Sequence, residues 1–175
     1  MKRNNFSLVF SAVLGLIFAS AAFAQSETFN DKNVEYTFDL PESVWKMTVK
    51  PSAATPIVEY VYGDRMDGHF EIRKITVEPN EMMSDLIVRE QDQKLQFTPG
   101  YVSGKEENFS GNYRGNVSNY EFVRRGRKMS GRFYYLKTDP TTVYVLRFTG
   151  MRDSLRTLRN QTDSIARTFK VKPGM

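Results

Sequence analysis

Apolar and polar residues alternate over Val34–Leu40, with Val34, Tyr36, Phe38 and Leu40 on one side and Glu35, Thr37 and Asp39 on the other. A period of two sends successive side chains to opposite faces, so this segment is predicted to be a strand with one buried face, ended by Pro41. The alternation returns at Trp45, Met47 and Val49 before Pro51, giving a second short strand. A third is predicted over Ile57–Tyr62, closed by the turn residues Gly63-Asp64 and Asp67-Gly68. Phe70–Val77 reads as a fourth strand. Its apolar phase moves from even positions (Ile72) to odd ones (Ile75), which predicts a β-bulge or a local twist.

A helical stripe follows. Asn80 can cap it, and Met83, Leu86, Ile87 and Leu95 recur near helical spacing until Thr98-Pro99-Gly100 stops the run. The stripe is thin at Glu90 and Gln91. Asn112–Val123 then reads as a long strand with Gly115 inside it, Arg124–Lys128 as a turn around Gly126, and Ser130–Thr138 as the returning strand, with Asp139-Pro140 as the next turn. Val143–Phe148 is β-prone and almost wholly apolar, so it is predicted to lie centrally in a sheet. Leu155, Leu158, Thr162, Ile165 and Phe169 define a last helix over Arg152–Arg167. Four strands, a helix, three or four strands and a helix, joined by hairpin-length connections, describe an α+β domain: an antiparallel β-sheet layered with helices.

The N-terminus changes where this domain is expected to work. Lys2 and Arg3 precede an apolar run from Phe6 to Phe23, and Ala22-Phe23-Ala24 supplies the small residues that signal peptidase requires. Residues 1–24 are therefore predicted to be a secretory signal peptide cleaved before Gln25, leaving residues 25–175 as a single exported domain, periplasmic or extracellular in a bacterial host. An uncleaved anchor is the alternative, because the run approaches the roughly 20 residues that span a bilayer. With the signal removed, no second apolar run remains to insert in a membrane. Cysteine is absent. That excludes disulfide stapling, lipid attachment through cysteine and thiolate chemistry, so the core must hold the fold alone.

Charge is unevenly spread. Gln25–Asn112 holds 16 acidic and 9 basic residues, whereas Tyr113–Met175 holds 14 basic and 4 acidic. Either the two halves neutralise one another when their strands become neighbours, or the basic half leaves an anion-seeking face.

Three stretches carry a resemblance. Tyr36-Thr37-Phe38-Asp39-Leu40-Pro41 followed by Trp45 is similar to an "F-x-(L/I)-P … W" opening. Gly131–Leu136 leading into Val143–Phe148 resembles a late strand pair, and Asp163-Ser164-Ile165-Ala166-Arg167-Thr168-Phe169 resembles a closing "D-x-I-x-x-(S/T)-F" helix. Together they resemble the PsbP/Mog1-like superfamily. The resemblance implies an α/β/α sandwich and a binding or assembly module, since some members assist photosystem assembly and others bind a small GTPase. It transfers no catalytic residue, and fold alone is a weak warrant for function.

The chemical inventory agrees with a non-enzyme. His69 is the single histidine, too few for a zinc site of several His or Cys ligands, and no G-x-S-x-G elbow offers a nucleophile. It is expected to be a surface or strand-edge residue. Asp64 and Asp67 share a turn whose spacing is not that of a calcium loop, and Glu106-Glu107 are adjacent in a predicted loop. Nothing points to a cofactor or a resident metal. The most suggestive group is basic: Arg124, Arg125, Arg127, Lys128 and Arg132, at or near a predicted hairpin tip flanked by Tyr120, Phe122 and Phe133. Arginine pairs bidentately with carboxylate or phosphate, so these five are the candidate anion- or partner-binding residues. For an exported chain the expected partner is another protein or an anionic envelope component rather than nucleic acid. A carrier of a small apolar ligand, drawn from the Phe, Tyr and Met richness, and a carboxylate-based hydrolase are the alternatives.

Overall fold

The computed structural model describes residues 26–173; the expected signal peptide lies outside the described residues. Strands β3 (Trp45–Val49), β4 (Val58–Tyr62), β5 (Gly68–Thr76), β6 (Val102–Ser110), β7 (Arg114–Arg124), β8 (Arg127–Asp139) and β9 (Thr142–Met151) form a seven-stranded sheet in the order β3-β4-β5-β9-β8-β7-β6. Every neighbouring pair is antiparallel. A second sheet, β1-β2-β10, joins β1 (Glu27–Asn30), β2 (Tyr36–Leu40) and β10 (Lys170–Val171). The apolar segment predicted to be central is the middle strand, β9, and Val143, Tyr144, Val145, Leu146 and Phe148 are all buried on it.

Both faces of the large sheet are covered, which is what an almost wholly apolar central strand requires. On one face lie the small sheet and the helices α3 (Arg152–Thr157) and α4 (Arg159–Thr168). Phe38 of β2 meets Phe70 of β5 edge-on at 5.4 Å, and Phe70 stacks on Phe148 of β9 at 4.4 Å. On the other face α1 (Met83–Ile87), a π-helical turn (Val88–Asp92) and α2 (Gln93–Leu95) bury Leu86 and Ile87 against Phe122, Tyr135 and Val145. The predicted α+β layering is present, and Phe38, Trp45, Val145, Phe148, Leu155, Ile165 and Phe169 are all buried.

Three expectations are corrected. The phase change between Ile72 and Ile75 is not a bulge: β5 pairs with β9 in unbroken register from His69↔Thr149 to Thr76↔Thr142. Ile72 packs beneath the small sheet and Ile75 beneath the helix, so the strand is apolar on both sides in turn. The helix predicted from Asn80 to Phe97 starts after Met82, without a side-chain cap, and widens into the π turn. That turn rotates Gln91 into the interior, fully buried, with its Nε2 donating to the Tyr101 hydroxyl at 3.3 Å; this is why the apolar stripe thins there. Finally, the last helix breaks at Leu158, whose ψ of 0° divides α3 from α4 while leaving its side chain buried.

Candidate functional site

The β7–β8 hairpin overhangs its own sheet. Its outer neighbour β6 pairs with β7 only as far as Val102↔Glu121, and β9 pairs with β8 only as far as Met129↔Met151. The hairpin continues to Arg124↔Arg127, closed by Arg125 and Gly126 alone. Both have positive φ, 51° and 73°, the two-residue geometry whose twist matches that of the strands it joins. Asn-Gly or Asp-Gly is the usual choice at these positions. An arginine in the left-handed region costs about 1 kcal/mol, so Arg125 contributes charge here and not turn preference.

Arg124, Arg125, Arg127 and Lys128 are all exposed on this overhang. None of the four makes an ion pair among the described residues. Some basic side chains elsewhere find acids, as Lys74 meets Glu35, Arg89 meets Glu81 and Arg159 meets Glu107, whereas others such as Lys46, Lys50 and Arg114 stand singly; only at the tip do four such cations fall within five residues.

Arg132, the fifth residue of the predicted cluster, does not join them. It lies further along β8 on the face covered by α4, and is buried. Its Nε donates to the Tyr134 hydroxyl at 2.7 Å, Nη1 to Asn119 at 2.9 Å and Nη2 to Asp163 of α4 at 3.0 Å. Lys128 and Arg132 share a face of β8, so alternation alone would keep them together; the separation comes from distance along the strand and from α4, which covers Arg132 but not the overhang. Arg132 anchors α4 to the sheet.

A cavity of about 460 Å³ opens beside the overhang. Pro99, Phe122 and Val123 form walls, Arg124 and Arg125 the rim, and Arg147, Tyr120 and Thr149 the floor. Tyr120 is held over Gly131 so closely that a Cβ there would come within 2.0 Å of its ring, and this fixes its hydroxyl beside Arg147 Nε (3.0 Å) and Thr149 Oγ1 (3.2 Å). The Arg147 guanidinium also sits 5.3 Å from the Phe133 ring centre, in cation–π range. Arg147 carries the lone charge within the apolar run of β9, and sequence reasoning passed over it; that isolation was the available signal.

A larger concavity, about 620 Å³, lies between β6–β8 and α3. Three of its four arginines are matched by acids, Arg132 by Asp163 at 3.0 Å, Arg156 by Asp153 at 3.7 Å and Arg159 by Glu107 at 3.6 Å, which leaves Arg152 as its one unpaired arginine among the described residues.

His69 is buried near the start of β5, and not at the surface. Its Nε2 lies 2.8 Å from Glu59 of β4, which also meets Arg65 at 3.2 Å. Burial alone would raise the Glu59 carboxyl; the His69 hydrogen bond and the Arg65 charge outweigh it and hold the group below its ordinary value. Glu59, His69 and Glu71 place ligand atoms within 4.8 Å of one another. A cation there would compete with Arg65, Arg73 and Arg147, which already engage the two carboxylates. The Asp64 carboxylate accepts from the N–H groups of Met66 (2.6 Å) and Asp67 (3.1 Å), an ordinary Asx turn. Glu106 and Glu107 lie in the edge strand β6. The abundant rings are core: Tyr134, Tyr144, Phe70 and Phe169 are all buried.

No known family profile matches the sequence, and no curated protein does. Solved structures do. Cyanobacterial PsbP (CyanoP) from Synechocystis sp. PCC 6803 superposes with a TM-score of 0.58 at 14% identity, over 94% of this chain and 98% of that one. A single-residue variant of Mog1 gives 0.61 at 11% identity, over 84% and 96% of the two chains. LpqN, involved in cell envelope biogenesis of Mycobacterium tuberculosis, gives 0.53 at 16%, over 85% and 91%. The chain has the PsbP/Mog1-like fold; at these identities the likeness is one of fold alone.

Proposed function

We propose that the mature chain is an exported, non-enzymatic binding module that docks an acidic protein surface through Arg124, Arg125, Arg127 and Lys128. The observation that carries this reading is four exposed cations, uncompensated by any acid among the described residues, on a hairpin that projects past its neighbouring strands. A projecting tip presents its charge to a partner without a competing acidic neighbour, and such charge accelerates encounter. The strained Arg125 supports the same view, because a turn needing only solubility would be better served by asparagine. Export rests on the charged head, apolar run and A-x-A site of residues 1–24, and an envelope role is in keeping with the involvement of LpqN in cell envelope biogenesis.

The test begins with capture of partners from envelope extract, followed by association kinetics with the purified partner. Reversing all four tip charges to glutamate should slow association at least about tenfold, and wild-type binding should weaken with salt in the same sense. Lys46→Glu with Lys50→Glu, on strand β3 and the loop after it at the far edge of the sheet, is the control. Equal weakening per reversed charge in the two variants would mean diffuse net charge, and no weakening by either would mean a merely solvated turn; each overturns the proposal. Sedimentation with phosphatidylglycerol vesicles provides the other arm, and tip-dependent binding there without protein binding would assign an anionic lipid surface instead.

A further inference from the structure

Arg147 is under-compensated. Its side chain is only 25% exposed, and its one ion-pair partner among the described residues is Glu71 Oε1 at 3.4 Å. That same oxygen receives Arg73 Nη2 at 2.9 Å, so one carboxylate oxygen serves two guanidinium groups. On the helix side Glu90 is close, but it is engaged by Lys94 and Arg89. The two side-chain hydrogen bonds of Arg147 among the described residues, to Tyr120 and Glu71, leave further N–H donors of the fork available. A largely buried cation with a shared counter-ion is unfavourable unless something completes its pairing.

The surroundings specify what would complete it. Tyr120 accepts from Arg147 Nε, and its own proton can pass to Thr149 Oγ1, which leaves the Thr149 hydroxyl to donate onward. One guanidinium fork plus one hydroxyl suits a planar, singly charged acceptor better than a dianion. Pro99, Phe122 and Val123 offer an apolar sleeve for a short aliphatic stem. Resting on the tip-docking reading above, we infer that this cavity seats a carboxylate side chain, Asp or Glu, from an acidic segment of the docked partner. Arg147 is its anchor and Thr149 its second donor.

Fluorescence anisotropy with two labelled peptides tests this on the purified protein. Each carries three aspartates followed by a Val-Glu-Val segment on a Ser-Gly background, and the second has glutamine in place of the glutamate. The wild type should prefer the glutamate peptide by about tenfold or more, the worth of a hydrogen bond to a charged group. Arg147→Lys keeps the charge but loses the fork, and Thr149→Val keeps the shape but loses the hydroxyl; each should reduce that preference to about twofold or less. Unchanged melting temperatures would show that both variants are folded. Reversal of the tip should weaken both peptides while preserving their ratio. If both variants keep the wild-type preference while tip reversal still abolishes binding, the pocket assignment fails and the tip reading survives. If tip reversal changes nothing either, both fail.

Discussion

Phe148→Ala removes the ring at the centre of the larger core. Phe148 is fully buried on the middle strand β9, stacked on Phe70 at 4.4 Å with an interplanar angle of 3°, and met edge-on by Tyr134 at 5.6 Å and Trp45 at 6.1 Å. Truncating a buried phenylalanine costs about 3–5 kcal/mol, and loss of aromatic pairs worth about 0.5–1.5 kcal/mol each favours the upper half of that range. A domain of ordinary stability has about 5–15 kcal/mol in total, and no disulfide supports this one. At about 2–4 °C per kcal/mol for a chain of this size, a loss near 4 kcal/mol lowers the midpoint by about 8–16 °C. Circular dichroism melts and urea titrations of the purified protein measure it, with Phe97→Ala as the control. Phe97 is 88% exposed and its truncation should stay within about 0.5 kcal/mol. A Phe148→Ala midpoint within about 2 °C of wild type would refute the β5–β9 register and the core built on it.

Asp163→Ala should cost about 3–5 kcal/mol, because it leaves the Arg132 guanidinium buried without its acid; wild-type thermal stability would show that this pair does not hold α4. The Glu35 carboxyl is held at about 2, against an ordinary 4.5, by hydrogen bonds from Lys74 and Tyr144. Its folded value lies below its unfolded one, so its contribution is fully present above about pH 4.5 and disappears as pH falls toward 2; Glu35→Gln should flatten the melting temperature across that window. Arg125→Asn should raise stability by about 0.5–1 kcal/mol by relieving the left-handed arginine, while slowing association with an acidic partner. A gain in stability with unchanged association would sever that residue from docking.

The legible parts of the fold are those where burial is one-sided or complete. Tyr36–Leu40 shows period two because one face packs on the sheet, and Val143–Phe148 shows a continuous run because both faces are covered. Strand β6 was invisible: eight of its nine residues are not buried, and an edge strand with one covered position has no pattern to read. Its charges and the register shift between Ser103 and Glu106 fit an edge that must not pair further. Of the site, the tip cations and their hairpin were legible because turn chemistry is local. The burial of His69 against Glu59 and the pairing of Arg132 with Asp163 were not, since each partner is brought in by a different strand or helix.

Topology reconciles the unequal halves of the chain only in part, and least of all at the overhang. Strands β7, β8 and β9 of the basic half lie between β5 and β6 of the acidic half, so Glu71 meets Arg147 across the β5–β9 junction, while Arg159 reaches Glu107 of β6 from helix α4. Beyond Glu121 and Met129 the hairpin has no flanking strand, and its cations have no acid to meet. On the docking proposed above, exposed charge acts over about a Debye length, so the tip is expected to govern encounter and its salt dependence. The shielded Arg147 is screened far less, and a carboxylate paired with it must break a desolvated hydrogen bond to leave, which governs dissociation. The two sites therefore separate kinetically: tip reversal should act on the on-rate and vanish at high salt, whereas Arg147→Lys should act on the off-rate and persist there. Identical salt sensitivity of the two variants would mean that Arg147 acts only as another unit of surface charge.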